Sequence, residues 1–455
     1  MKEINSEIFR AYDIRGIVDH DFDEEWVECL GRACGTWFRK RGWDRAVVGH
    51  DCRHSSPAYQ AAMARGLNAC GVDVLLLNLV PSPVFYFAAR KLGYKAGVMI
   101  TASHNPPEFN GFKVWGEDTT VHSGDIREIY GIMKSGEFVE GSGMISVHDI
   151  VPYYIEDLLS GIEIKRPVRV VLDGGNGAGG HIGLDMLKRA GVDVIPLYCE
   201  PDGDFPNHHP DPVVEKYMGD LFRAVVEHGA EAGIGLDGDA DRIGAVDEKG
   251  RLIPGDRLVA IYAREMLGRR PGEMVIGDVK CSHLLFNDIE KHGGRPLMAR
   301  TGHSIMKAKM AETGAGLGGE MSGHVFFADR FYGFDDGIYS ALRLIEILSK
   351  TDLPLSRMFD DWPQTYFTPE LRVDFPEKIK FRIVERAVEE LSKDYEVVDI
   401  DGVRVVFEDG WALVRASNTQ AALTMRFEAD TPERLDEIRS LVETLLEKLR
   451  IELES

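Results

Sequence analysis

Short apolar runs alternate with amphipathic stretches along most of the chain, and this alternation limits the possible folds more than any other feature. In the first section, the runs Ala46–Gly49, Val72–Leu77 and Ala96–Thr101 are separated by stretches with helical periodicity. Strands that alternate with helices in this way form an α/β sandwich. The first section therefore predicts an α/β domain over residues 1–150.

The same alternation restarts twice further along the chain. It resumes near residue 150, where the apolar run Pro167–Leu172 leads into the glycine-rich Asp173–Gly180 and an amphipathic stretch covers Glu215–His228. It resumes again at Pro254. These restarts predict two more α/β domains, over residues 151–252 and 253–365.

The pattern changes from about Tyr366. Alternating strand signals at Leu371–Phe375, Val403–Phe407 and Ala421–Phe427 surround a helical stretch, and a charged helix follows to the C-terminus. Antiparallel strands with segregated helices are typical of an α+β domain. A fourth domain is therefore predicted over residues 366–455.

Composition narrows the possible functions. The 455-residue chain has a formal net charge of -22, whereas nucleic-acid binding relies on a basic face. It contains no run of about 18 apolar residues, so no membrane span is expected. Its six cysteines form no CxxC pair, which is typical of free thiols in a reducing compartment. We therefore expect a cytoplasmic protein that binds neither nucleic acid nor membranes.

The segment Thr101–Pro106, TASHNP, follows a predicted strand. A serine at the carboxyl end of a strand lies where α/β sheets place reactive groups. No Gly-x-Ser-x-Gly elbow surrounds Ser103, which argues against an α/β-hydrolase. The alternative for this motif alone is that Ser103 and Asn105 cap a turn.

Three carboxylates follow the predicted strand Ala232–Leu236 in the segment DGDADR. Asp237, Asp239 and Asp241 are separated by small residues, so one tight loop could direct all three at a single ion. Carboxylate oxygens are the ligands that Mg²⁺ prefers. An EF-hand matches in part through Glu248, but Arg242 replaces the required glycine and the loop follows a strand. A solvated acidic turn is the remaining alternative.

Two further loops carry groups suited to a sugar phosphate. Glu320 and Ser322 lie in a glycine-bounded loop and offer acceptors and a donor for sugar hydroxyls. Arg415 precedes hydroxyl and amide side chains, which together can surround a phosphate. Each loop in isolation is equally compatible with an ordinary polar turn.

The glycine-rich segment also satisfies the dinucleotide-binding pattern. Gly175, Gly177 and Gly180 have the G-x-G-x-x-G spacing, and Glu200 lies at a plausible distance for a ribose contact. Glycines also serve tight turns and close packing. We favour a structural turn because no other motif indicates nicotinamide or flavin chemistry.

In this order, the motifs resemble those of the α-D-phosphohexomutase superfamily, in particular its bacterial phosphomannomutase/phosphoglucomutase branch. The resemblance covers nearly the whole chain and includes YDIRG, TASHNP, PNHHPDP, DGDADR, TGHS, GEMSGH and RASNT. It implies three α/β domains with mixed sheets and a C-terminal α+β domain around a central cleft. The chain departs from the common GRDxRxSG motif at Gly49–Ser56, and it has Ala240 where the family often has glycine.

The resemblance also implies roles for individual residues. Ser103 would carry the phosphoryl group, and Asp237, Asp239, Asp241 and the serine phosphate would bind Mg²⁺. Lys113 and His303 would be candidates for proton transfer, at a reaction centre lined by Arg15, His104, Arg242 and Lys280. The sugar would contact Tyr12, Glu320, Ser322 and His324, and the non-reacting phosphate would contact Arg415, Ser417, Asn418 and Thr419.

The implied reaction interconverts hexose 1-phosphate and hexose 6-phosphate, of mannose or glucose, with a glucose or mannose 1,6-bisphosphate as intermediate and activator. A phosphoglucosamine mutase is the main rival, but that branch more often carries Gln where this chain has Met321. A non-catalytic sugar-phosphate sensor and a metal-dependent phosphatase are further alternatives. The oligomeric state, monomer or homodimer, stays open.

Overall fold

A computed structural model describes residues 2–117, 119–376, 378–417 and 422–454 of the chain. Four sheets follow one another along these residues. The first three mix parallel and antiparallel strands, and the fourth is antiparallel. The predicted fold class of three α/β domains followed by an α+β domain is confirmed.

The first domain has a mixed sheet in the order β1-β5-β4-β2-β3-β7, with β6 paired to β5. Its strands are β1 Ile14–Ile17, β2 Arg45–His50, β3 Asp73–Leu79, β4 Ala96–Ile100, β5 Phe109–Gly116, β6 Thr119–Thr120 and β7 Ile145–Val147. Its helices are α1 Glu24–Lys40, α2 Ser56–Asn68, α3 Ser82–Leu92 and α4 Gly124–Ser135. Local sequence sets these limits: α3 has Pro83 in its first turn and ends at Gly93, whose φ of +68° favours glycine.

The second and third domains repeat the theme with fewer strands. The second contains α5 Val151–Ser160, β8 Arg169–Asp173, α6 Gly180–Arg189, β9 Asp193–Leu197, α7 Gly219–Glu227, β10 Ala232–Leu236, β11 Ile243–Asp247 and β12 Leu252–Ile253. The third contains α8 Gly255–Arg269, β13 Met274–Asp278, α9 His283–Lys291, β14 Arg295–Ala299, α10 His303–Thr313, β15 Leu317–Gly319, β16 Val325–Phe327 and α11 Gly337–Ser349. The stretch Glu215–His228 is not one helix, because a 3₁₀ turn over Glu215–Tyr217 precedes α7.

One connection recurs in all three domains. In each sheet one strand with a parallel partner, β4, β10 or β15, turns back into an antiparallel neighbour, β5, β11 or β16. The TASHNP, DGDADR and GEMSGH segments are the loops of these three hairpins. The three motifs therefore occupy equivalent positions in three copies of one supersecondary unit.

The first three domains also share a single apolar cluster. It joins Phe85 and Tyr86 of α3 to Tyr154 of α5 and to Ile338 of α11. Helix α11 contributes to it from most of its faces, since twelve of its thirteen residues are buried. Apolar burial therefore holds these three domains together as well as stabilising each one.

The fourth domain has its own apolar core and an antiparallel sheet in the order β17-β22-β21-β20-β19, with β18 paired to β22. Its elements are β17 Tyr366–Phe367, β18 Leu371–Asp374, α12 Lys380–Leu391, β19 Glu396–Val398, β20 Val403–Phe407, β21 Gly410–Ala416, β22 Ala422–Ala429 and α13 Pro432–Glu454. Polar contacts join it to the third domain: Arg404 donates to the carbonyls of Val279 and Cys281 at 2.6 and 2.7 Å, and Ser282 Oγ donates to Glu428.

Candidate active site

Ser103 lies in the hairpin loop between β4 and β5 with a positive φ of +50°. A non-glycine residue adopts this conformation only where its surroundings impose it. Its backbone N–H donates to Thr101 Oγ1 at 2.9 Å, and its side chain donates from Oγ to Asp237 Oδ2 at 2.7 Å. The loop therefore directs the serine hydroxyl at the acidic loop of the second domain.

The side chain of Arg53 fixes this serine loop through hydrogen bonds to its backbone. Its guanidinium donates to the carbonyls of Ser103, Asn105, Pro106 and Phe109 at 2.6 to 2.9 Å, and its Nε donates to Asp51. The side chain is fully buried, so these bonds are made away from solvent. Asp51 and Arg53 lie in the segment where the chain departs from the family motif, and neither was among the predicted site residues.

The three carboxylates of the acidic loop converge as predicted. Asp237, Asp239 and Asp241 are fully buried, and an oxygen of each lies within 4.8 Å of the others. The loop turns at Ala240, which has a φ of +56°. This left-handed conformation favours glycine, and alanine adopts it with some strain.

The glycine-rich loop of the second domain packs directly under this acidic loop. A Cβ at Gly177 would lie 2.7 Å from the Gly238 carbonyl oxygen, and one at Gly179 would lie 2.3 Å from Ala240 Cβ. The N–H of Ala178 donates to the Gly238 carbonyl at 2.9 Å. Protein atoms therefore fill the position that a dinucleotide would need, and the glycines serve close packing.

Lys113 of β5 partly neutralises the acidic loop. Its Nζ donates to Asp239 Oδ2 and Asp241 Oδ2, each at 2.6 Å. Burial disfavours the ammonium, but the two carboxylates outweigh it and raise the pKa of Lys113 well above its ordinary value. Ser82 Oγ also donates to Asp239 Oδ2, at 2.5 Å.

The remaining oxygens fit a divalent cation. Among the described residues, Asp239 Oδ1 and Asp241 Oδ1 are buried and accept no hydrogen bond. Buried polar atoms are normally satisfied, so an unpartnered pair of carboxylate oxygens is suited to binding a cation. Burial and the two neighbouring carboxylates raise the pKa of Asp237 well above its ordinary value, and a bound cation would oppose that shift.

Cationic and imidazole groups surround the serine. Arg15 donates to Asn105 Oδ1 at 2.7 Å and to Asp13 Oδ2 at 2.5 Å. The Nδ1 of His104 lies 3.1 Å from Ser103 Oγ. Burial, with Arg242 and Arg15 nearby, holds the pKa of His104 well below its ordinary value, so the ring is neutral near pH 7.

The third hairpin brings Glu320, Ser322 and His324 into the same region. Glu320 is buried and accepts from the Gly302 N–H at 2.8 Å and from Ser322 Oγ at 2.9 Å. The Nδ1 of His324 lies 3.2 Å from the carbonyl oxygen of Asp241. The loop is thus joined by hydrogen bonds both to α10 and to the acidic loop.

His303 is the first residue of α10. Its ring stacks on His324 with centroids 5.6 Å apart and meets Tyr12 edge-on at 6.3 Å. Tyr12 also donates to the Thr301 carbonyl at 3.2 Å. Burial and then Lys307 hold the pKa of His303 well below its ordinary value, so this ring is also neutral near pH 7.

The fourth domain contributes Arg415. The sequence pattern predicted this residue in a turn between strands, whereas it lies near the end of β21. Its guanidinium pairs with Asp401 at 2.9 Å, and Asp401 also accepts from the Thr301 N–H of the third domain. Lys280 pairs with Glu370 at 3.2 Å. The carbonyl of Ser417 accepts from Lys380, and Asn418 and Thr419 lie outside the described residues.

Fold and site together define a class of protein: a four-domain α/β protein in which separate domains present a serine, a carboxylate triad and polar loops to one cleft. Sequence models described as "Phosphoglucomutase/phosphomannomutase, alpha/beta/alpha domain I", "domain II" and "domain III" match residues 6–140, 152–250 and 254–366, and that of the C-terminal domain matches residues 370–445. The chain belongs to the phosphoglucomutase/phosphomannomutase family.

Individual relatives agree along almost their full length. The chain is 44% identical to a phosphomannomutase/phosphoglucomutase of Pseudomonas aeruginosa, covering 95% of this chain and 94% of that protein. It is 42% identical to a phosphoglucomutase of Neisseria gonorrhoeae, covering 98% of each. A crystal structure of a family protein from Burkholderia thailandensis superposes with a TM-score of 0.92 at 39% identity, covering 98% of each chain.

The family needs a divalent metal, and the acidic loop contains carboxylates that could hold one.

Within the described residues, no helix combines the length and apolar character that crossing a bilayer requires. Besides Arg53, sequence reasoning missed Ser82, Lys307 and Asp335, which contact the predicted groups from elsewhere in the chain. Asp335 lies in the segment Tyr332–Gly337, YGFDDG, to which the sequence analysis assigned no role.

Proposed function

We propose that this chain is a Mg²⁺-dependent phosphohexomutase that interconverts the 1- and 6-phosphates of mannose and of glucose, with Ser103 as the phosphate carrier. The observation that carries this proposal is the 2.7 Å hydrogen bond from Ser103 Oγ to a buried carboxylate triad with unpartnered oxygens. A hydroxyl next to a cation site is suited to phosphoryl transfer, because the transition state needs positioning and charge neutralisation.

Asp237, Asp239 and Asp241 would hold the ion together with the phosphate on Ser103. Bound there, Mg²⁺ would supply neutralisation of the phosphoryl oxygens. Arg15 and Arg242 are the protein cations beside the serine, and both raise the positive potential felt at His104. They would stabilise negative charge on the transferring group.

Phospho-Ser103 gives its phosphoryl group to the free hydroxyl of a hexose monophosphate, which forms a 1,6-bisphosphate. The bisphosphate turns around, and Ser103 recovers a phosphoryl group from the other end. The same bisphosphate would restore the phosphorylated serine, and so act as activator. The transfer to the sugar needs a proton acceptor at the sugar hydroxyl, and the transfer back to Ser103 needs a proton donor at the departing sugar oxygen.

His303 is better suited than Lys113 to proton transfer at the sugar oxygen. Its imidazole is neutral near pH 7, whereas Lys113 is held as an ammonium by two carboxylates. Lys113 could release a proton only when another cation takes over those carboxylates. We therefore assign Lys113 primarily to charge balance within the acidic loop and His303 to proton transfer.

Glu320 and Ser322 would bind hydroxyls that nearly superpose when the sugar reverses, and an equatorial 3- and 4-hydroxyl pair meets this condition. Recognition would then ignore carbon 2, where mannose and glucose differ. The similarity to relatives named for one or both sugars supports this dual activity. Tyr12 and His324, whose rings contact that of His303, would also contact the sugar. The non-reacting phosphate would be held by Arg415, Ser417, Asn418, Thr419 and Lys280.

We further propose a cytoplasmic location. All six cysteines are free thiols, and four of them are buried, which fits a reducing compartment.

Phosphorus NMR tests the assignment. The protein with Mg²⁺ and trace glucose 1,6-bisphosphate receives mannose 1-phosphate, glucose 1-phosphate or glucosamine 1-phosphate in separate tubes, with Ser103→Ala as control. We expect 6-phosphate signals from mannose and glucose, absent in the control. Turnover of glucosamine 1-phosphate alone would indicate a phosphoglucosamine mutase, steady release of inorganic phosphate a phosphatase, and no reaction a sensor.

A further inference from the structure

Lys307 is a buried cation next to His303, and the proposed mechanism does not use it. It lies one helical turn after His303 on α10, so both side chains extend from the same face. Its Nζ donates to Asp335 Oδ1 at 2.8 Å and lies 3.2 Å from His303 Nδ1. It also lies 4.4 Å from the ring centroid of Tyr86 in the first domain.

The chemistry of the two groups fixes the direction of the contact. An ammonium has only donors, so a hydrogen bond between Lys307 and His303 requires Nδ1 to be the acceptor. A neutral imidazole that accepts at Nδ1 carries its proton on Nε2. Burial lowers the pKa of Lys307, while Asp335 opposes the shift, so this ammonium gives up its proton more readily than a solvated lysine.

The side chains of His303 and Lys307 differ in their exposure to solvent. The His303 side chain keeps 12% of its surface exposed, whereas that of Lys307 keeps 4%. His303 is therefore the more accessible of the two side chains, and we infer that it contacts the ligand while Lys307 acts through it.

The neighbouring charges are balanced without an ion. Asp241, His324 and Asp335 have the spacing of a metal site. However, Lys113 already pairs with Asp241, and Lys307 pairs with Asp335, at 2.6 and 2.8 Å. Two ammonium groups neutralise the two carboxylates, so the cluster has no net negative charge to attract a second cation.

We propose that Lys307 is a positioning residue that holds His303 in the tautomer with its proton on Nε2 and exchanges a proton with Nδ1. This inference rests on the proposed function. This tautomer belongs to the enzyme with a free Ser103 hydroxyl. When the sugar oxygen leaves the phosphoryl group, the Nε2–H bond breaks and the proton goes to that oxygen, while Nδ1 takes a proton from Lys307 Nζ, which becomes an amine. The hydroxyl proton of the attacking Ser103 passes to a group beside Oγ, Asp237 Oδ2 or His104 Nδ1. In the opposite half-reaction Nε2 accepts the proton of the sugar hydroxyl, Nδ1 returns its proton to the Lys307 amine, and the departing Ser103 oxygen regains its own proton.

The groups that face this pair come from several elements. His303 is influenced by Lys307 on its own helix, by Asp335 and His324 of the third domain, and by Lys113 of the first. Lys307 is influenced by Asp335, Lys113 and Asp241. Removal of the Lys307 cation leaves Asp335 as the nearest charge to the imidazole, so the His303 pKa should rise.

Nitrogen NMR of histidine-labelled protein with Mg²⁺ tests the tautomer, with His303→Gln to assign the signal. In the wild-type protein we expect a His303 proton on Nε2 and no titration between about pH 6 and 8. In Lys307→Met we expect the ring to titrate within this range or to move its proton to Nδ1. Lys307→Arg, which keeps the cation, should retain the wild-type spectrum.

Kinetics supply the second readout. Lys307→Met should lower kcat by about 100-fold, a typical contribution of a proton-transfer group, with KM changed by less than about threefold. Lys309→Met, on the same helix but paired with Glu312 at the surface, is the matched control. A wild-type proton on Nδ1 would overturn the proposal, as would a loss of kcat in Lys307→Met with unchanged tautomer and titration. Absence of isomerase activity in the wild-type protein would instead refute the proposed function, and the tautomer would still be measured.

Discussion

Replacement of Arg53 by lysine tests how the serine loop is held. The guanidinium makes five side-chain hydrogen bonds, four to carbonyls between Ser103 and Phe109 and one to Asp51. A lysine keeps the charge but has only three donors, so at least two buried acceptors lose their partner. Each unsatisfied buried acceptor costs about 1–3 kcal/mol. Two such acceptors give a range of about 2–6 kcal/mol, and we expect Arg53→Lys to destabilise the loop by about 3 kcal/mol, in the lower half of that range.

Native-state hydrogen exchange of residues 101–109, read by mass spectrometry, measures this cost locally. A loss of about 3 kcal/mol corresponds to exchange faster by a factor of roughly 100. The kcat should also fall, since the positive φ of Ser103 depends on a fixed loop and small misplacements of a reacting group are costly. Arg189→Lys, in an exposed pair with Asp185, is the control and should change neither quantity.

Exchange of residues 101–109 in Arg53→Lys within threefold of the control would refute this reasoning. It would mean that the five bonds contribute little beyond what backbone and solvent could replace. Unchanged exchange with a large loss of kcat would place the role of Arg53 in charge at the reaction centre and not in support of the loop.

Three further variants test other parts of the site. Asp239→Asn should weaken Mg²⁺ binding at least tenfold in calorimetry relative to the surface variant Asp185→Asn, because it removes a charged ligand; equal affinities would exclude this loop as the metal site. Glu320→Ala should reduce kcat/KM for mannose and glucose phosphates alike, and a change in their ratio above about tenfold, or about 1.4 kcal/mol, would contradict recognition that ignores carbon 2. Burial raises the pKa of Asp336 to about 7 from an ordinary 3.8, so its contribution to stability is present below pH 4 and lost as pH rises through 7. Urea unfolding should therefore show Asp336→Asn gaining about 4 kcal/mol on wild type between pH 4 and pH 8, whereas a constant difference would mean that the carboxyl is charged throughout.

The sequence was most informative where local pattern and tertiary environment agree. The strand Ala232–Leu236 was predicted with its observed limits, since it is buried on both faces and uniformly apolar or small. The acidic loop that follows needed only short spacers to bring three carboxylates together. Motifs of this kind are determined by a few neighbouring residues, and the family resemblance then supplied their roles.

Strand β5 shows why other parts could not be predicted. It is almost wholly buried, yet it contains Asn110 and Lys113 and two glycines, so it lacks the apolar pattern of a buried strand. Asn110 bonds Ser55 and Ser56, and Lys113 bonds two carboxylates from the next domain. Functional positions break local rules in this way because their partners are distant in sequence.

The buried cations that contact the site residues also could not be predicted from the sequence. Arg53 contacts a loop 50 residues away, and Lys307 contacts Asp335 across a strand pair. A buried Arg or Lys has no sequence signature that separates it from an exposed one. Only the tertiary arrangement shows which cations are paired in the interior.

The three equivalent hairpins have a consequence for how such an enzyme can change during evolution. Under the proposed function, one copy of the unit would present the phosphate carrier, a second the carboxylates and a third the sugar loop. Selection for a new sugar would then act on the short segment Glu320–His324. The residues proposed for phosphoryl transfer belong to other units, and they could stay unchanged while a lineage acquires new substrates.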